Sequence, residues 1–260
     1  MKVKDIGRII EDFAPKTLQE SYDNAGLQVG NPDMEVSAVL LSLDVTEDVV
    51  REAKERECNL IVTHHPLIFK GLKSLTGADL TQRLVVECIK ENIAVYSAHT
   101  NLDSVREGVS HEIAQKLNIK STEILEPQAL NPNAGLGVVG NITPVPKIEF
   151  LRRVKETFQV GALRYSAQSP SVVIKRVAVC GGAGASLISA AIKAKADIIV
   201  TGDVKYHDFA SYGSEIIIAD IGHFESELCA REILARVIRH KAPDISLYFS
   251  ENEKNPIKIL

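Results

Sequence analysis

A chain of 260 residues, 45% hydrophobic and 25% charged, has the composition of a globular protein able to bury a sizeable core. Its formal net charge of −4, with Lys and Arg scattered, gives no footprint for nucleic acid and no polybasic patch for a membrane surface. No apolar run reaches the roughly 18 residues of a membrane span, and charges interrupt every apolar run of the opening MKVKDIGRIIEDFAP, which excludes a signal peptide. Cys58, Cys88, Cys180 and Cys229 lie far apart without a C-x-x-C, as expected of reduced core residues in a cytoplasmic protein.

Short β-branched runs alternate with helical patterns along the chain. AVLLSLD precedes TEDVVREAKERE, NLIVTH precedes LTQRLVVECIKEN, and IAVYSAH precedes REGVSHEIAQKL. Residues 121–147 then carry Pro127, Pro132, Pro144 and Pro146, which predicts a connection or an edge-strand region, since repeated prolines do not suit a central sheet. After residue 170 the rhythm returns with KRVAVC and ASLISAAIKAKA, DIIVTG, then EIIIAD and FESELCAREILARVI. This alternation predicts α/β architecture with mixed, mostly parallel sheets flanked by helices.

The two halves also look like copies. A shift of 138 positions lays residues 39–63 on 177–201 without a gap, matching Val39, Ala53, Ile61, Val62 and Thr63 to identical residues. The predicted division is one repeat over 1–125 and a second over 126–260. Under the shift, His64 and His65 of IVTHHP correspond to Gly202 and Asp203 of IVTGDV.

Ligands of open α/β sheets bind beyond the carboxyl ends of strands. Those ends supply His64 and His65; then His99, Asn101 and Asp103; then Asp220, His223 and Glu227. Such His and carboxylate sets suit Zn, Mn, Fe, Co or Ni. Successive side chains of a strand leave on opposite faces, so adjacent histidines are expected to serve two ions rather than one. Five ligands with one bridging carboxylate suit a pair of ions about 3.5–4 Å apart. His223 and Glu227, four residues apart at a helix opening, can face one ion, although an acid there also complements the helix dipole. Asp103 reads equally as a cap.

VCGGAGAS, between a strand and a helix, is a candidate phosphate cradle through Gly182 and Gly184, with Lys205 nearby in TGDVKYHDF. Leu187 occupies the third glycine position of the dinucleotide fingerprint, which argues against a nucleotide-dependent oxidoreductase. His99 and His207 are candidates for proton transfer or for orienting ligands.

Taken together, DNAGLQVG, LSLDVTEDVVREA, IVTHHPLIF, SAHTNLD, VAVCGGAGAS, TGDVKYHD and DIGHFESE resemble the type 2 GTP cyclohydrolase I homologues, also called Nif-three-like or YbgI-like proteins, over essentially the whole chain. The resemblance implies two intertwined α/β repeats with a dinuclear metal site between them. Its ligands map to His64, His65, Asp103, His223 and Glu227, with Glu227 bridging. It also implies a ring-shaped homohexamer. The expected activity is metal-dependent hydrolysis of a nucleotide or phosphorylated compound. The competing expectation is a non-enzymatic metal-binding or metal-delivery protein, or an interaction scaffold.

Overall fold

The computed structural model describes residues 1–166 and 173–260. In chain order the first elements are α1 (Val3–Phe13), β1 (Gly26–Val29), β2 (Ala38–Ser42), α2 (Glu47–Glu55), β3 (Leu60–Thr63), α3 (Leu80–Lys90), β4 (Ala94–Ser97) and α4 (Thr100–Ser104). Next come α5 (Val109–Lys116), β5 (Lys120–Gln128), β6 (Asn131–Pro146), α6 (Lys147–Thr157), β7 (Arg164–Tyr165) and β8 (Val173–Val179). The remainder is α7 (Ile188–Lys193), β9 (Ile198–Thr201), α8 (Tyr206–Tyr212), β10 (Ile217–Asp220), α9 (His223–Glu227), α10 (Cys229–Lys241) and β11 (Ser246–Phe249). None of the described helices is long and apolar enough to cross a membrane.

The chain divides into two compact units. Met1–Val105 with Ala230–Lys254 forms the first, and Arg106–Cys229 with Asn255–Leu260 the second.

The first unit holds a five-stranded sheet in the order β1-β4-β3-β2-β11. Only the β1–β4 pair is antiparallel. Every residue of β2, β3 and β4 is buried, as continuous β-branched runs require when a parallel sheet is covered on both faces. Val49, Val50 and Ala53 of α2, and Leu84, Val85 and Cys88 of α3, join Leu40, Ile61 and Val95 in one core. Each fully buried Leu, Ile or Val of this kind stabilises the fold by about 1.5–3 kcal/mol. Both helices start on side-chain caps: Thr46 Oγ1 accepts from the Val49 N–H, and Asp79 Oδ1 from the Gln82 N–H.

The second unit holds a six-stranded sheet in the order β5-β6-β8-β9-β10-β7. Three of its five pairs, β5–β6, β6–β8 and β10–β7, are antiparallel, so this sheet is not mostly parallel as expected. The proline-rich stretch accounts for two of the three, β5–β6 and β6–β8. Instead of a connection it forms a long ribbon, whose strand β6 pairs on both sides and lies inside the sheet. Pro144 falls in the register irregularity between Asn141 and Val145, and Pro146 ends the strand, so the ladder loses few donors. Ala178, Leu187, Ile188, Ile199 and Ile218 form this unit's core.

Register agrees between the sheets. Val39 pairs with Leu60 in β2–β3, and Val177 pairs with Ile198 in β8–β9, each residue 138 positions further on. The third strands, β4 and β10, continue in parallel from Leu60↔Ala94 and Ile198↔Ile217. Each is then joined by an antiparallel strand, through Gly26↔Ser97 and Arg164↔Asp220.

Two buried carboxylates fasten the returning segment of the first unit. Glu52 of α2 accepts from Ser250 Oγ at 2.7 Å and from the N–H groups of Glu251 and Asn252 at 3.0 Å. Glu253 Oε1 accepts from the N–H groups of Leu43 and Asp44 at 2.6 and 2.8 Å, and its Oε2 meets Arg231 at 3.0 Å. Burial alone would raise the Glu52 carboxyl, but those donors and Arg56 hold it below its ordinary value. Glu52→Gln is therefore expected to cost about 3 kcal/mol in urea unfolding at pH 7. A depressed carboxyl contributes fully above its unfolded value near 4.5 and is lost as the pH falls. The gap between parent and variant should thus close in acid; a gap that widens there would overturn this account.

Candidate metal centre

In the first unit, β3 ends at Thr63 and the chain bends at once. The Thr63 hydroxyl holds the His65 carbonyl at 2.7 Å, and the His65 N–H reaches Leu43 O at 2.9 Å. The bend removes strand alternation, so the two imidazoles do not diverge. Their ring centroids lie 5.2 Å apart, and each offers a ligand atom within 4.8 Å of the other's. The expectation that the two adjacent side chains leave on opposite faces is therefore corrected: the strand stops one residue too early for it to apply.

His64 is fully buried and its Nδ1 lies 2.8 Å from Ala98 O. A carbonyl only accepts, so Nδ1 carries the proton and Nε2 keeps its lone pair. That Nε2 lies 3.6 Å from Asp103 Oδ1. This is too long for a hydrogen bond, yet close to the about 3.4 Å separating two ligand atoms of one tetrahedral Zn-sized ion. Asp103 lies inside α4 rather than capping a helix; the residue before α5 is Gly108.

The same anchoring recurs. His65 Nδ1 meets Asp44 Oδ1 at 2.8 Å, and His99 Nδ1 meets Asp23 Oδ1 at 2.7 Å. The His99 ring stands 5.4 Å from that of His64 and 5.6 Å from that of His65, edge-on to both. Burial by itself would raise the Asp23 carboxyl, but hydrogen bonds from His99 and Thr100 hold it well below the usual carboxylate range. Asn101 is structural: its Nδ2 donates to Ala14 O at 2.7 Å.

In the second unit, His223 opens α9 and Glu227 closes it, with His223 Nε2 2.8 Å from Glu227 Oε2. His223 Nδ1 meets Asp203 Oδ2 at 2.8 Å. Gly202 makes this approach possible, because a Cβ there would lie 2.8 Å from the His223 nitrogen. Asp220 is part of the frame: it accepts from the Val204 and Gly222 N–H groups and from Arg164. Glu227 is almost fully buried, unlike a solvated first-turn acid.

The glycine turn has a different job from the one expected. The Gly182 N–H donates to Ser226 Oγ and the Gly184 N–H to Thr201 Oγ1, both at 2.9 Å, so neither is left to cradle a phosphate. Instead Gly182, at φ +59°, passes directly beneath the Glu227 carboxylate. Lys205 and His207 lie on the exposed start of α8, where the His207 ring packs against Tyr206.

The first unit thus offers the paired ligand nitrogens of His64 and His65, and the second offers the buried carboxylate of Glu227 beside His223. All four cysteines are buried thiols, and burial pushes Cys58 up to about 11 and Cys88 to about 12. The donor set fits a divalent cation. It is nitrogen and carboxylate oxygen, and each histidine of the cluster is oriented through Nδ1, the arrangement that fixes metal-ligating imidazoles. Sequence reasoning missed Asp23 and Asp44 as anchors, although both stand within the quoted motifs DNAGLQVG and LSLDVTEDVVREA.

The sequence profile of the Duf34/NIF3 (NGG1p interacting factor 3) family matches residues 1–256. The chain belongs to this family. A "GTP cyclohydrolase 1 type 2 homolog" of Clostridium perfringens is 36% identical over the full length of both chains. Another of that name, from Clostridium acetobutylicum, is 37% identical and covers 99% of this chain and 98% of its own. Among solved structures, Staphylococcus aureus protein SA1388 superimposes with a TM-score of 0.91 at 27% identity, covering 100% of this chain and 99% of its own.

Proposed function

We propose that the protein holds two divalent metal ions through His64, His65, Asp103, His223 and Glu227, with Glu227 bridging. We further propose that it hydrolyses a nucleotide or related phosphorylated compound. The observation that carries the reading is the set of imidazoles of the first unit, His64, His65 and His99, each anchored through Nδ1. The two clostridial relatives, named as GTP cyclohydrolase 1 type 2 homologs, support a nucleotide substrate. When bound, such ions supply Lewis acidity, polarising a substrate oxygen and acidifying water. The chain's own contribution is His99. With Nδ1–H held by the Asp23 carboxylate, its Nε2 can take a proton from a nucleophile and return it to a leaving group. His207 receives no step, since it stands exposed against Tyr206.

The matched registers support reading the chain as duplicated repeats, near 1–125 and 126–260 and intertwined. A homohexameric, cytoplasmic protein is the accompanying proposal, with light scattering as the check on assembly.

Elemental analysis after Mn or Zn reconstitution should approach two equivalents per chain, and fall in His64→Ala and Glu227→Gln. One equivalent or less in the parent sinks the dinuclear reading. Metal-loaded protein should turn over at least one member of a nucleotide panel. Full metal occupancy with no turnover across the panel would favour the metal-binding or scaffold role instead.

A further inference from the structure

The loop before β1 and the loop after β3 each send one residue to the histidine cluster and one aromatic ring to the surface. From the first, Asp23 holds His99 while Tyr22 is 61% exposed. From the second, His65 joins the cluster while Phe69 is 44% exposed. The rings of Tyr22 and Phe69 meet at 6.3 Å, and Phe69 meets His99 edge-on at 6.1 Å. A single exposed aromatic is unremarkable. Here two are in ring contact, and one of them touches the imidazole assigned to proton transfer.

The rings are also held in place. Asn24, two residues beyond Tyr22, donates from Nδ2 to Ile68 O at 2.6 Å. The Ile68 N–H donates to Gln28 Oε1 at 3.2 Å, and Gln28 Nε2 donates back to Asn24 O at 2.5 Å. These bonds pin the backbone beside Phe69 to the backbone beside Tyr22. An exposed apolar surface held this way loses little further freedom when a flat ligand lands on it.

The geometry points to Tyr22 and Phe69 as a stacking platform for a planar heteroaromatic ring, which it presents edge-first to His99. This rests on the hydrolase reading and extends it to the substrate class: a compound recognised by its flat ring, as a purine nucleotide is. Aromatic pairs favour tilted or offset contacts with centroids about 4.5–7 Å apart, the range both observed contacts occupy. The platform reads a π-face rather than a hydrogen-bond pattern, so it tolerates different bases. It gives no purchase to a sugar phosphate alone.

The test measures binding to the metal-loaded protein by equilibrium dialysis, with guanosine and ribose 5-phosphate as separate probes. Phe69→Ala should weaken guanosine binding roughly tenfold and leave ribose 5-phosphate binding and metal content unchanged. Phe69→Leu keeps the apolar bulk without the π-face and should lose nearly as much, whereas Phe69→Tyr should bind like the parent. Guanosine that binds Phe69→Ala and Phe69→Leu as tightly as the parent, or does not bind the parent, overturns the platform. Platform-dependent binding of guanosine without turnover of any nucleotide would overturn the hydrolase reading and leave the platform standing.

Discussion

Gly182→Ala should produce a protein that folds less stably and retains metal poorly. A Cβ at this position would lie 2.1 Å from Glu227 Oε1 and 3.3 Å from His223 Cε1, at a backbone φ of +59°. The left-handed conformation alone costs a residue with a side chain about 1–2 kcal/mol, which urea unfolding of metal-free protein would read. The larger effect is on the carboxylate, which has to leave its position. A displaced ligand or orienting group typically weakens a metal site by about 10–100-fold, measurable by elemental analysis after dialysis against a graded chelator. Gly71→Ala is the control, since a Cβ there meets nothing within 4 Å. Should Gly182→Ala lose stability yet keep metal like the parent, Glu227 is not a ligand.

Asp23→Asn should abolish most turnover while leaving metal content intact. The Asp23 Oδ2 accepts from the Thr100 N–H and hydroxyl, and its Oδ1 accepts from the Asn24 N–H and faces His99 Nδ1. An asparagine has one acceptor oxygen for these two sides. If its oxygen stays with Thr100, its amide nitrogen points at His99 and forces the opposite tautomer, leaving Nε2 protonated. A base with its proton on the wrong nitrogen cannot begin the reaction, and a loss of about 100- to 10,000-fold in kcat is expected. The ring nitrogens' 15N shifts report the tautomer independently of activity. Parent-like turnover in Asp23→Asn would remove His99 from the mechanism.

Much of this centre was legible because strand ends in an α/β fold are marked in sequence. The runs ending at Thr63, Ser97 and Asp220 are short, continuous and mostly apolar, and the polar residues beyond them include all five expected ligands. The registers that align Val39 with Val177 were legible for the same reason, since buried parallel strands tolerate few residue types. What was not legible depends on contacts distant in sequence. Asp23 reaches His99 across 76 residues, and Glu253 reaches Leu43 across 210. No local period announces either. The proline-rich stretch was legible in part: β5, with Pro127, is an edge strand as expected, but β6 lies inside the sheet, because a proline's damage depends on whether its missing N–H faces a ladder position or an irregularity. The glycine turn was misread because composition says nothing of where an N–H points. In Gly182 and Gly184 both point inward.

The Glu253 contact has a bearing on the order in which this protein can be built. Asp44, which aims His65, hangs from a backbone amide held by Glu253, and the edge strand β11 pairs with β2 only through residues 246–249. Between those partners the ribosome must deliver the whole of residues 106–229, the main body of the other unit. A nascent chain therefore begins the first unit first but closes it only after the main body of the other has been delivered. Until Glu253 emerges, Asp44 lacks the partner of its backbone amide, and His65 its aligned anchor. The direction of the His65 ring is in this sense set by chain order as much as by any single side chain.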